Sequence, residues 1–227
     1  MKKNLMLILA ALALFLGGCA AQTPIEESQA ETTAKEALCW SDLDFQQEAL
    51  SYAREFTIAQ TQCYQKLTVG TDQTFLVVPE GGAVPLSVPQ EVTVLRQPLQ
   101  NIYVVASASM DYFCKLDALD AVKLSSQKES AWYLPQAKQA MAEGKILYAG
   151  KYSAPDYETI LAANCDLAVE NAMIYHTPDV LEQIQHLGIP VLVDRSSYEA
   201  HPLGRMEWIK FYGALLNRQQ EAKGYYD

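Results

Sequence analysis

The chain has 227 residues, half of them apolar, and a formal net charge of −10 from 17 Lys and Arg against 27 Asp and Glu. That length supports one large domain or one and a half small ones, with enough apolar residues for a sizeable core. The acidic balance excludes nucleic acid and an anionic membrane surface as natural partners.

The amino terminus reads as an export leader. Met1-Lys2-Lys3 precedes an apolar run from Leu5 to Leu16, and Leu16-Gly17-Gly18-Cys19 closes it. A charged start, an apolar stretch and small residues at the end are the parts of a signal peptide. The run is shorter than the ~20 residues a spanning helix needs. Leu16-Gly17-Gly18-Cys19 resembles a bacterial lipobox, which implies a signal peptide over residues 1–18, cleavage before Cys19 and fatty acylation of its thiol, palmitate included. The alternative is an ordinary secretory leader with an incidental cysteine. The lipobox reading places the mature protein on the extracytoplasmic face of a bacterial membrane, held by lipid only. Loss of Lys2 and Lys3 would take the net charge from −10 to −12.

Residues 19–40 are polar, acidic and poor in large side chains, which predicts a flexible tether. Residues 41–202 are expected to form an α/β lobe. A first helix is predicted from Ser41 or Asp42 to Ala59, with either residue as its cap. Cys63–Val69 and Thr74–Val78 flank Gly70-Thr71-Asp72 and predict a β-hairpin. Gly81 to Pro89 reads as a loop and Val92–Leu95 as a short strand.

From residue 101 strands alternate with helices. Predicted strands are Ile102–Ala106, Ala121–Leu124, Ile146–Ala149, Leu167–Val169 and Ile189–Val193. Predicted helices are Met110–Leu116, Trp132–Glu143, Asp156–Ala163, Pro178–Leu187 and a long one from Leu203 to about Ala222, with Gly144 and Gly188 as stops. This order implies right-handed crossovers and a Rossmann-like parallel sheet of about five strands, with helices on both faces. Loops beyond the carboxyl ends of such strands form the binding crevice. Here they are Ser107-Ala108-Ser109, Ser125 to Ala131, Gly150 to Pro155, Glu170 to Thr177 and Asp194 to Pro202.

Those loops supply Lys151, Tyr152, Tyr175, His176, Tyr198 and His201, with Arg205 just beyond. Cations and aromatic rings together suit an anionic chelate or a tetrapyrrole, and these seven are the candidate ligand-binding residues. Solvated loops of ordinary polarity are the alternative for each of them. No nucleophile elbow, phosphate-binding loop or dinucleotide fingerprint is present. Ser196, His176 and Glu170 can be drawn as a triad, as in any loop-rich domain, and no catalytic residue or cofactor is assigned. The histidines His176, His186 and His201 lack ligand spacing, so no metal site is assigned. Beside Cys19, the cysteines Cys39, Cys63, Cys114 and Cys165 are scattered without a C-x-x-C pair. Cys114 and Cys165 read as small core residues, and a Cys39–Cys63 bridge has nothing in the sequence to support it.

Pro155-Asp156-Tyr157-Glu158-Thr159-Ile160, with Cys165-Asp166-Leu167-Ala168-Val169 and Gly188-Ile189-Pro190-Val191, resembles the pattern of substrate-binding proteins of ABC importers, the iron-siderophore and cobalamin type. Met173-Ile174-Tyr175-His176-Thr177-Pro178 and the run from Ser196 to Gly213 resemble one lipoprotein branch of that group. The resemblance covers about residues 45–223, and Cys165 departs from the usual proline. It implies a substrate-binding role for an iron complex or related metal chelate (siderophore, haem or cobalamin-like), partnership with ABC permease and ATPase subunits, and no enzymatic activity. It implies that Glu158 docks on the permease. These receptors have two α/β lobes joined by one long helix. Residues 203–227 are accordingly expected to begin the inter-lobe helix, with the second lobe absent or separately encoded. A membrane-anchored interaction or accessory protein that has lost transport is the rival expectation.

Overall fold

A computed structural model describes residues 38–105 and 107–226. The expected leader, Cys19 and most of the expected tether lie outside them. Among the described residues no helix is long and apolar enough to cross a membrane.

The first half of the fold is a five-stranded sheet: β1 (Gln46–Gln47), β2 (Phe56–Thr61), β3 (Tyr64–Val69), β4 (Gln73–Val78) and β5 (Val92–Arg96), in that spatial order. β1 to β4 run antiparallel and β5 is parallel to β4. The expected hairpin is β3–β4, turning at Gly70, whose φ is +59°. The helix expected over 41–59 is a correction. Its place is taken by a 3-10 turn at Trp40–Asp42, then β1, an irregular segment and β2. The reason lies far along the chain. Glu207 accepts the amides of Ser51, Tyr52 and Ala53 at 2.8–2.9 Å. Glu199 accepts those of Arg54 and Glu55 at 2.9–3.1 Å. Five successive N–H groups point at two carboxylates, so they cannot serve a helix.

The second half begins with β6 (Ile102–Val104), α1 (Ser107–Lys115), β7 (Val122–Ser125), α2 (Pro135–Ala142) and β8 (Leu147–Tyr148). A short hairpin, β9 (Gly150–Lys151) with β10 (Ala154–Pro155), leads into α3 (Tyr157–Ala162). Then come β11 (Leu167–Asn171), α4 (Pro178–His186), β12 (Val191–Asp194), α5 (Pro202–Leu216) and α6 (Gln219–Tyr226). The five long-crossover strands form a parallel sheet in the order β12-β11-β6-β7-β8. Alternation along the strands divides the core. Ile102, Val104, Val122, Leu167, Val169 and Leu192 join one cluster with residues of α1, α2 and α5. Tyr103, Leu124 and Ala168 join another with Ile160 of α3 and Ile184 of α4. The expected architecture of helices on both faces is therefore present, and the expected hairpin is part of a mixed five-stranded sheet that precedes it, with no α-helix before it among the described residues.

α5 lies between this sheet and the first one. Phe56 of β2 meets Trp208 and Phe211 at 4.8 and 5.5 Å between ring centroids, and Tyr112 of α1 stacks on Tyr212 at 4.8 Å. From Glu207 to Leu215 nearly every residue of α5 is buried, so this part of the helix shows no polar stripe, while Pro202, Leu203, Arg205 and Met206 at its start are exposed. The single helix expected from Leu203 to about Ala222 is a second correction. Asn217 is left-handed at φ 57°, α5 stops there, and α6 turns back. Asn tolerates that conformation better than most residues. Small residues let the two helices meet closely, since a Cβ on Gly213 would lie 2.6 Å from that of Ala222. Lys210 of α5 sits 4.5 Å over the Tyr226 ring. Smaller corrections concern Ser107-Ala108-Ser109, which is the first turn of α1, and α2, which starts at Pro135 after a 3-10 turn at Glu129–Ala131. Cys39, Cys63, Cys114 and Cys165 are all free.

Candidate functional site

The carboxyl ends of the parallel strands and the loops beyond them make the crevice face. At the β12 end a buried polar scaffold fixes the loop. Asp194 accepts the Ser109 hydroxyl at 3.1 Å, the Tyr212 hydroxyl at 2.5 Å and the Ser196 amide at 2.7 Å. Burial, then the Asp194 charge, drives the Tyr212 phenol far above its usual range. Tyr112 donates its hydroxyl to the Arg205 carbonyl at 2.6 Å, and Arg205 Nη2 donates to the Ser197 carbonyl at 2.8 Å. Both ends of the 195–205 segment are thereby tied down.

On that scaffold stands Arg195. Its Nε donates to Glu55 Oε2 at 2.7 Å, and its guanidinium lies 4.8 Å from the Tyr198 ring centroid. The β3–β4 turn reaches the same place. A pocket of about 270 Å³ is lined by Arg54, Glu55, Gly70, Thr71, Asp72 and Arg195. Gly70 combines a left-handed φ with close approach, because a Cβ there would lie 3.2 Å from Asp72 Oδ1 and 3.4 Å from Arg195 Cδ. Gln73 holds the turn down. Its side chain donates to the Val193 carbonyl at 3.2 Å and accepts the Val193 amide at 2.7 Å, closing the open edge of β12. Tyr175 completes the group. Burial, then Asp72, raises its phenol, and Arg195 opposes the shift. Tyr175 is 43% exposed and Tyr198 55%.

The seven candidate residues do not gather in one patch. Tyr198 lies against Arg195, and Tyr175 is near enough for the Arg195 and Asp72 charges to act on its phenol. His201 is the cap of α5, with Nδ1 accepting the Leu203 amide at 3.1 Å and its ring stacked on Tyr52 at 4.6 Å. Arg205 is exposed but bound to Ser197, and His176 is exposed at the end of the 3-10 turn Ala172–His176. Lys151 and Tyr152 follow β8, at the opposite end of the strand order from β12. The hairpin that carries Lys151 folds back toward the middle of the sheet, where the Gly150 carbonyl meets the Tyr103 hydroxyl of β6 at 3.4 Å. Lys151 is exposed, whereas Tyr152 packs against the core beneath α3 and α4. Glu158 lies in the first turn of α3, exposed. Asp156 caps that helix through Thr159, and the Thr159 amide bond in particular holds the Asp156 carboxyl below its usual range.

Sequence reasoning missed Arg195, Glu55, Asp72 and Tyr52. Arg195 was visible as part of the polar run after β12, but its partners come from the first sheet. Ser196, His176 and Glu170 do not form a triad, because neither Glu170 oxygen has a hydrogen-bond partner. Among the described residues no three His, Cys, Asp or Glu side chains gather as a metal site. Glu170, at the end of β11, is fully buried, and burial pushes its carboxyl up to about 8.

No family model matches the chain. It is 27% identical over 173 residues to an uncharacterised lipoprotein of Methanocaldococcus jannaschii, a match that covers 72% of this chain and 42% of the relative. Among solved structures it resembles a petrobactin-binding protein from Bacillus subtilis (17% identity, TM-score 0.44, 58% of this chain and 43% of that one). It also resembles a periplasmic heme-binding protein from Pseudomonas aeruginosa (18% identity, TM-score 0.42, 55% and 41%). The chain thus spans less than half the length of each.

Proposed function

We propose that the protein is the lipid-anchored substrate-binding component of an ABC importer and takes an anionic iron complex or a related metal chelate. The observation that supports this most is the Arg195–Tyr175–Tyr198 group at the carboxyl ends of β11 and β12. Arg195, whose Nε is held by Glu55, and two half-exposed rings on a rigid scaffold offer guanidinium donors and stacking area to a ligand that carries both anionic groups and a flat face. The stacked His201–Tyr52 pair is the next aromatic surface along the same loop, and Arg205 holds that loop through Ser197. Lys151, Tyr152 and His176 would meet a ligand wide enough to cross the sheet. The chain binds and does no chemistry in this reading.

Glu158 is proposed as the docking carboxylate. It is exposed, stands on a helix whose own capping is done by Asp156, and makes no contact that folding requires. Cys19 is proposed as the lipidated residue, a reading favoured by the likeness to an archaeal lipoprotein. Residues 41–202 are proposed as one ligand wall and α5–α6 as the side toward a second lobe, carried on the same or another polypeptide. Titration of the full chain with ferric siderophores, haem and cobalamin tests the reading. Saturable binding of an anionic member, weakened by added salt, supports it. Failure of every chelate to bind sinks it.

A further inference from the structure

Glu170 is the one fully buried carboxylate with both oxygens bare among the described residues. It sits on the face of β11 that also carries Ala168, and in the strand register it pairs with Val193 of β12. Val105, following β6, is bound to the same strand through Val169. Apolar side chains therefore flank it. The ionisable groups that face it are Tyr103 of β6, Tyr157 of α3 and Cys165 before β11, and none of these is a cation. Tyr103 turns its hydroxyl away, toward the Gly150 carbonyl at 3.4 Å. α4 covers the same face with Val180 and Ile184, while its Asp179, Glu182 and His186 stay exposed. A carboxylate in such a place has no compensation for lost hydration, so the neutral acid is the form that fits.

What lies next along the chain gives this a consequence. Asn171 Oδ1 accepts the Met173 amide at 2.8 Å and starts the 3-10 turn Ala172–His176. That turn carries Tyr175 and His176. We propose that Glu170 is a pH sensor for the segment Asn171–His176: neutral, it stays buried and the segment is seated; ionised, it must reach water, and the segment lifts from the end of β11. The inference does not depend on what the crevice binds.

The sign follows from the direction of the shift. The folded-state value, about 8, lies above the ordinary 4.5. Stability from the neutral form is complete below pH 4.5 and is lost as pH rises toward 8. A local opening gives the ionised carboxylate its water without global unfolding.

The test is nuclear magnetic resonance of the full chain against pH, in a His176→Gln background so that the imidazole does not contribute. The expected result is that the Met173 and Tyr175 amides shift together with the Glu170 side-chain carboxyl carbon, at a midpoint well above the ordinary carboxylate value of 4.5. In Glu170→Gln the amide shifts should vanish. Amide titrations that persist unchanged in Glu170→Gln overturn the proposal. A Glu170 carboxyl that titrates at the ordinary carboxylate value of 4.5 overturns it in the parent chain, whether or not the Gln variant folds.

Discussion

Glu207 and Glu170 are buried alike, and the chain treats them in opposite ways. Glu207 receives three backbone amides and the Lys210 ammonium, the last at 3.0 Å. Glu170 receives nothing. Burial alone would raise Glu207 too, but the Ala53, Ser51 and Tyr52 amides outweigh it and hold the carboxyl below its usual range. The two sites differ in their task. Glu207 and Glu199 fasten the segment before β2 to α5 and so join the first sheet to the rest. Glu170 stands under the loop that carries Tyr175 and His176. Polar partners are supplied where the two halves of the fold are joined and at Asp194 beneath the 195–205 loop, and are missing at Glu170 beneath the Asn171–His176 segment. Unsatisfied buried groups of this kind are found at functional sites more than at structural ones.

The largest way to break the comparison is Glu207→Ala. It orphans three amides and removes the carboxylate that Lys210 pairs with, which should cost about 3–5 kcal/mol in denaturant unfolding. The wild-type contribution of Glu207 is present above pH 4.5 and should be lost as pH falls below the ordinary carboxylate range, the reverse of Glu170. A loss under about 1 kcal/mol would mean that the amide cradle carries little.

Glu170→Gln should move stability the other way. The variant and the wild type should unfold alike near pH 4, and the variant should be more stable by about 2 kcal/mol near pH 8. Lifting of the Asn171–His176 segment limits the gain. Parallel stability curves from pH 4 to pH 8 would remove the contrast between the two acids.

Glu158→Ala is the smallest change. An exposed carboxylate outside the capping bonds should alter unfolding by no more than about 0.5 kcal/mol. Chelate binding should stay as it was, while co-purification with the permease is lost. Intact permease association with weakened chelate binding would transfer Glu158 to the crevice set.

What could be seen in the sequence follows from how local each feature is. β6, β7, β11 and β12 are apolar runs bounded by polar loops, so periodicity found them and their parallel arrangement. Gly188 and Asp156 marked helix ends by chemistry that acts within a few residues. The segment 41–59 misled because Leu43, Leu50 and Ala53 repeat at helix-like spacing. The carboxylates that claim its amides lie 144–156 residues away. The stop at Asn217 was illegible for a related reason. Asn is ordinary inside a helical pattern, and what bends the chain there is the close fit of Ala222 against Gly213. In the candidate site the rings were legible as loop residues. Arg195 as their centre was not, because Glu55 and the Gly70–Asp72 turn reach it only through the first sheet.

The claim that this face of the sheet holds a chelate rests on Arg195 and the two rings around it. Equilibrium titration of Tyr198→Ala, Arg195→Ala and the wild type with the anionic chelate that binds most strongly tests it most directly. Tyr198 is more than half exposed, so its removal leaves the core intact. Affinity should fall about tenfold in Tyr198→Ala, as loss of a stacking and cation-facing ring implies, and further in Arg195→Ala. Wild-type affinity in both variants would contradict the assignment and move the ligand away from β12.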